Sequence, residues 1–184
     1  MRTQRRTEAG FTLVEMMVVV VLTGILATIA VFGVRKYVAS SKTSEAIEMI
    51  GSIKAAEETY KDETFTYLDV SGGLTKATAY PTGFTPGTQK AQWGGAGIGS
   101  VGFQQLGVAP TNPVYFAYAC KAGSATDAPL SPSSDSGNIT INNWPATLPT
   151  PWYVVKAYAD LSNTGVYTVF VGTSFSGDIF SANN

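Results

Sequence analysis

From Met16 to Val34 nineteen residues pass without a charged side chain, and the acid Glu15 stands immediately before them. At about 1.5 Å per residue, a helix of that length reaches roughly 28 Å, close to the hydrocarbon thickness of a bilayer. The stretch predicts a spanning helix that stays with the chain, because an ordinary secretory signal has an apolar core of only about 7 to 15 residues. Glu15 is the anomaly. A lone carboxylate in a spanning segment costs about 2.5 to 3.5 kcal/mol on insertion scales, so it calls for a partner or a function. Arg2, Arg5 and Arg6 precede the apolar run, and Arg35, Lys36 and Lys42 follow it. The two sides match in number, so the positive-inside rule leaves orientation open.

Composition narrows the chemistry. The chain has 184 residues, room for one domain beyond an anchor, and a net charge of -1. No basic stripe is present, which argues against nucleic acid as a partner. The chain contains no histidine, which removes the commonest general base, the usual catalytic triads and most transition-metal sites. The single cysteine, Cys120, cannot close an intrachain disulfide. It lies in an apolar run and reads as a small buried residue rather than a reactive thiol.

The segment Gly10-Phe11-Thr12-Leu13-Val14-Glu15-Met16-Met17, behind a short basic leader and ahead of Gly24-Ile25-Leu26-Ala27, resembles the N-terminus of type IV pilins and related pilin-like proteins. The resemblance covers residues 10–30 specifically and fades to a pattern afterwards. It implies that residues 1–10 are a leader removed by a prepilin peptidase, with cleavage between Gly10 and Phe11. The same enzyme would then methylate the new amine of Phe11. It also implies partners: other pilin or pseudopilin subunits, an inner-membrane assembly platform, and the lipid bilayer that holds residues 11–34 before assembly into a cell-surface or periplasmic filament. Glu15 would serve assembly by meeting the terminal amine of a neighbouring subunit, two charges costly alone becoming tolerable as a pair. After cleavage, Glu15 is expected to be poorly placed to serve the new amine on Phe11 of its own chain and stay dry. Gly10 suits a peptidase that needs close backbone approach.

Beyond Val34 no proline interrupts a helix-compatible sequence until about Asp62, so one helix of some fifty residues is expected, with residues 35–62 as its amphipathic half. Val34, Val38, Ser41, Ile47, Ile50, Ile53 and Tyr60 mark its apolar face. Lys42, Glu45, Glu48, Lys54, Glu57, Glu58 and Lys61 read as a solvated face, with Glu57 and Lys61 at the favourable spacing of four. Residues 63–184 form the globular head. Within it, residues 63–113 read as a long turn-rich connection. Residues 114–184 read as an antiparallel sheet with strands near 114–120, 152–159, 166–172 and 178–180. Residues 125–151, with five prolines, read as a loop interrupting it. The fold class is α+β: a long N-terminal helix on a C-terminal antiparallel sheet, pilin-like.

Three minor motifs have bland readings. Gly97-Ile98-Gly99-Ser100-Val101-Gly102 matches a dinucleotide pattern but lacks the strand and helix context that gives the pattern meaning. The segment from Asp160 to Gly165 is oxygen-rich but carries one carboxylate, which favours a hairpin turn over a calcium loop. Asn138-Ile139-Thr140 is a glycosylation triplet of a kind common by chance.

The resulting expectation is a structural subunit with no cofactor and no catalysis. Phe32 stands where shaft-forming members of the family often carry proline, which points to a minor or pseudopilin-like subunit, with a minor pilin of a type IV pilus as the first reading. A type II secretion pseudopilin is the alternative, and a filament-tip adhesin or DNA-binding pilin is a further one. A membrane-anchored enzyme finds no carboxylate dyad in the head.

Overall fold

The computed structural model describes residues 10–183; residues 1–9 of the expected leader lie outside the described residues. The chain divides into two compact units, one ending at Ser40 and one beginning at Ser41. Helix α1 (Leu13–Thr64) contributes its first part to one and its second part to the other.

In the first unit, every residue from 10–34 is exposed. The segment Leu13–Val34 is long and apolar enough to cross a membrane and has no residue buried within the chain. Its only interior hydroxyls turn inward to the backbone. Thr23 Oγ1 donates to the carbonyls of Val19 (2.9 Å) and Val20 (3.0 Å), and Thr28 Oγ1 to that of Ile25 (2.7 Å). A hydroxyl bonded in this way enters apolar surroundings without an unmet donor.

The second unit is built on a four-stranded meander. Strands β1 (Ala117–Gly123), β2 (Trp152–Ala159), β3 (Thr168–Thr173) and β4 (Ile179–Ala182) lie in sequence order, every pair antiparallel. β2 is buried along its whole length, which explains its near-continuous Trp, Tyr and Val content: a central strand covered on both faces has no polar side. Tyr118, Cys120, Tyr153, Val155, Ala157 and Phe170 face one core with the helix residues Ala46, Met49, Ile50 and Ile53. Ala119, Trp152, Val154, Val169 and Val171 face a second core with Leu74, Ala79 and Ile139.

The unit therefore has three layers, helix, sheet and loop. Residues 125–151 do more than interrupt the sheet: they cover its second face. Their anchors are Trp144, whose Nε1 donates to Pro129 O (3.1 Å), and Ile139, 6% exposed. Lys156 of β2 points into this layer and is fully buried, donating to Ser134 Oγ (2.8 Å) and Gly137 O (3.0 Å). Burial lowers its ammonium to about 8, against a smaller opposing pull from Asp135.

The connection 63–113 also carries structure that its turn-rich sequence conceals: a 3-10 turn (Lys76–Thr78) and helix α2 (Ser100–Gln105). Trp93 stands edge-on to Tyr80 (4.8 Å) and to Phe103 (5.2 Å), and its Nε1 donates to Val108 O (3.2 Å). The glycine cluster serves packing. A Cβ on Gly102 would lie 2.8 Å from Val70 Cγ1, and Gly99 takes the left-handed turn that opens α2.

The helix ends at Thr64, two residues beyond the expected Asp62, and Phe65 closes it in a left-handed conformation, donating to Lys61 O (2.7 Å). The observed strands are offset by up to three residues from the expected ones. The expected apolar face is shifted as well. Ile47 is exposed, while Ala46, Met49, Ile50, Ile53 and Glu57 are buried, a stripe of three- and four-residue steps set by the sheet surface it meets.

Of the expected solvated face, Glu48 is exposed, but Glu57 is fully buried and does not pair with Lys61, which lies 4.0 Å from Glu58 instead. Lys42 donates to Gly87 O (3.1 Å) and Lys54 to Ser176 O (2.9 Å), while Glu45 accepts from the Tyr115 amide (2.7 Å). These charges fasten loops to the helix. Each fully buried isoleucine at this seam contributes about 1.5 to 3 kcal/mol.

Helix and sheet approach closely at Gly172 of β3, where a Cβ would fall 2.6 Å from Ile50 Cγ2 and 3.2 Å from Lys54 Cδ. Gly172→Val is expected to overpack the seam and destabilise the unit by about 1 to 3 kcal/mol. Thermal unfolding of the detergent-solubilised full chain should show this as a drop of several degrees in Tm; an unchanged Tm would mean the helix yields freely.

Candidate functional site

At the start of the apolar helix, the segment Thr12-Leu13-Val14-Glu15 closes a reciprocal cap. Glu15 N–H donates to Thr12 Oγ1 (3.2 Å), and Glu15 Oε2 accepts from both the Thr12 amide and the Thr12 hydroxyl, each at 2.8 Å. This is a capping box, in which the residue before the helix and the third residue within it satisfy each other's backbone donors. A carboxylate in the first turn also lies at the positive end of the helix dipole.

Thr12 thus gives Glu15 a donor pair one turn away, a partner not among those expected for it. The threonine-to-glutamate spacing carried this signal in the sequence. Among the described residues, Glu15 Oε1 has no hydrogen-bond partner.

Around this cap the chain is open. Phe11 is 80% exposed, and a Cβ placed on Gly10 would meet nothing within 4 Å. No packing demand among the described residues accounts for a glycine there.

The other candidate positions have internal uses. Cys120 is buried, its thiol donating to Glu57 Oε1 (3.2 Å). Burial pushes that thiol well up, helped by the Glu57 carboxylate. Asp160 is buried in the β2–β3 turn, where Oδ1 accepts from the Thr164 amide (3.1 Å) and Oδ2 from the Gly165 amide (2.7 Å). Its oxygens thus organise their own turn, as an aspartate opening a hairpin loop commonly does. Asn138 is exposed beside the buried Ile139. Lys76 and Lys90 lie over the rings of Tyr167 (4.2 Å) and Tyr115 (4.7 Å), and Lys121 pairs with Asp69. Among the described residues, no three or more Cys, Asp or Glu side chains gather as a metal site.

Comparison with known proteins places the similarity on the same helix. Residues 5–31 match the family model for the prokaryotic N-terminal methylation motif. The chain is 42% identical over 80 residues to the type II secretion system core protein G of Pseudomonas aeruginosa, covering 44% of this chain and 56% of that one. It is 36% identical over 83 residues to a fimbrial protein of the same organism, covering 45% and 53%. A third relative is the type IV major fimbrial protein FimA of Dichelobacter nodosus, 36% identical over 93 residues, covering 50% and 60%. The chain spans about half the length of the curated relatives it matches. No solved structure matches it.

With a methylation motif over a capped apolar helix, and a head in which the helix's second part packs on a four-stranded antiparallel sheet, the chain is type IV pilin- or pseudopilin-like.

Proposed function

We propose that this chain is a non-catalytic filament subunit, cut after Gly10 by a prepilin peptidase, N-methylated at Phe11, and held in the inner membrane by its apolar helix until it joins other pilin or pseudopilin subunits. The observation that carries this reading is the open, capped start of the helix. Among the described residues nothing packs against Gly10, and exposed Phe11 leads into a segment whose apolar side chains are all uncovered. Such a surface is stable only in lipid or against similar helices.

Glu15 fits a double role. Oε2 caps its own helix through Thr12, and Oε1 remains for the terminal amine of a neighbouring subunit. A carboxylate that already accepts two hydrogen bonds is less costly to hold in apolar surroundings, and the incoming cation offsets the rest.

Among finer readings, a type II secretion pseudopilin takes precedence over the minor type IV pilin expected from the sequence. Core protein G matches at 42% over 80 residues, whereas fimbrial relatives match at 36% over 83 residues or at 43% over only 60. A minor pilin is the second reading; the lack of a proline at Phe32 fits either of the two. A tip adhesin or DNA-binding pilin has less support: Trp93 and Trp144 anchor loops internally, and Lys76, Lys90 and Lys121 are engaged at three separate places.

Gly10→Val is expected to block processing, and mass spectrometry of the native N-terminus should then find the leader retained, against N-methylated Phe11 in the parent; a normal mature terminus in the variant contradicts the peptidase assignment. Glu15→Gln separates the two roles, since glutamine also completes a capping box. It should insert normally and be incorporated into filaments at least tenfold less than the parent, as should Glu15→Val. Parental incorporation of the glutamine variant would assign Glu15 to capping alone.

A further inference from the structure

The buried acid Glu57 takes no part in the assembly chemistry above, yet it holds together the corner where α1 turns toward the sheet. Its Oε2 accepts from the Leu68 amide (2.9 Å) and its Oε1 from the Cys120 thiol (3.2 Å). β1 is an edge strand, and the segment after the helix covers its open side at Cys120. Ser71 N donates to Cys120 O (2.9 Å), Cys120 N donates to Ser71 Oγ (3.1 Å), and Lys121 pairs with Asp69. Glu57 thus bridges three elements: its own helix, the covering segment 68–71, and the edge strand.

The charges around it give an ionised Glu57 little help. Those acting on it are Glu58 from its own helix and Asp69 from the segment, both negative. Lys121 of β1 is committed to Asp69, and Lys61 to Tyr67 and Glu58. Tyr67 from the segment, Tyr153 from β2 and the Cys120 thiol, all raised first by burial, complete the surroundings. Among the described residues no cation touches the Glu57 carboxyl.

We propose that Glu57 is a proton-operated latch: with its carboxyl neutral, segment 68–71 stays fastened over the edge of β1, and ionisation of that carboxyl releases the segment and uncovers Cys120. With the carboxyl neutral, Oε2 keeps the Leu68 bond and the acid proton on Oε1 lies toward Cys120 Sγ, so that contact is kept with donor and acceptor exchanged. Burial raises the carboxyl to about 7, with the bonds from Leu68 and Cys120 opposing. When the corner opens, the group regains water and its ordinary value of 4.5. The closed state therefore binds the extra proton between these values. Its stabilisation is complete below 4.5, is lost as pH rises toward 7, and changes little beyond.

Hydrogen exchange of the detergent-solubilised full chain, corrected for intrinsic rates, tests this. Between about pH 5 and 7, protection of the amides in 68–71 and at Cys120 should fall close to tenfold per pH unit, levelling off above 7, while the centre of β2 stays protected. Glu57→Gln should make the profile flat, and Glu57→Met, which has no ionisable group, should do the same if glutamine disturbs the fold. A flat profile in the parent chain overturns the proposal, as does a slope that persists in either neutral variant.

Discussion

The head depends on a helix that must be covered along one stripe only. Ala46, Met49, Ile50, Ile53 and Glu57 go under the sheet, and the close approach at Gly172 sets how deeply they sit. Because β2 is central and buried along its length, the sheet needs a second cover on its other face. The proline-rich residues 125–151 and the turn around Leu74 supply it. Without the helix the first core would be open, and without the loop layer Trp152 and Val154 would face water.

That arrangement changes how charge along the helix should be read. Lys42, Glu45 and Lys54 reach loop backbone, so the helix organises segments that otherwise have little periodicity of their own. Glu57 is the extreme case, a carboxyl placed in the apolar stripe and satisfied by an amide and a thiol. Lys156 is its counterpart on the other face, a buried ammonium held by a hydroxyl and a carbonyl. Groups of this kind lose more from burial than they regain in attraction unless every donor finds an acceptor. Their bonding therefore reports how tightly the loops are fitted.

At the opposite end of the helix, Glu15 shows that an acid in an apolar segment need not await a second chain. Thr12 satisfies one of its oxygens within a single turn. Local capping and pairing across subunits are compatible, because a carboxylate has acceptor capacity for both. The cap also orders the first turn of the segment Leu13–Val34, which has no buried residue among those described.

The helix, its apolar first half and the four strands were legible in the sequence because they rest on short-range patterns: nineteen uncharged residues, runs rich in Val and Tyr, and turn residues between them. The capping box was equally local, written in the spacing of Thr12 and Glu15. What the sequence by itself determined is thus the long helix, the four strands and the membrane-sized run. Only the tertiary structure decided that Ile47 faces out while Glu57 faces in, that Trp93 and Trp144 are internal anchors, and that residues 125–151 form a layer. The physical reason is distance along the chain. Glu57 is buried by partners up to 63 positions away, and a helical period cannot say which side of a stripe a distant strand will cover.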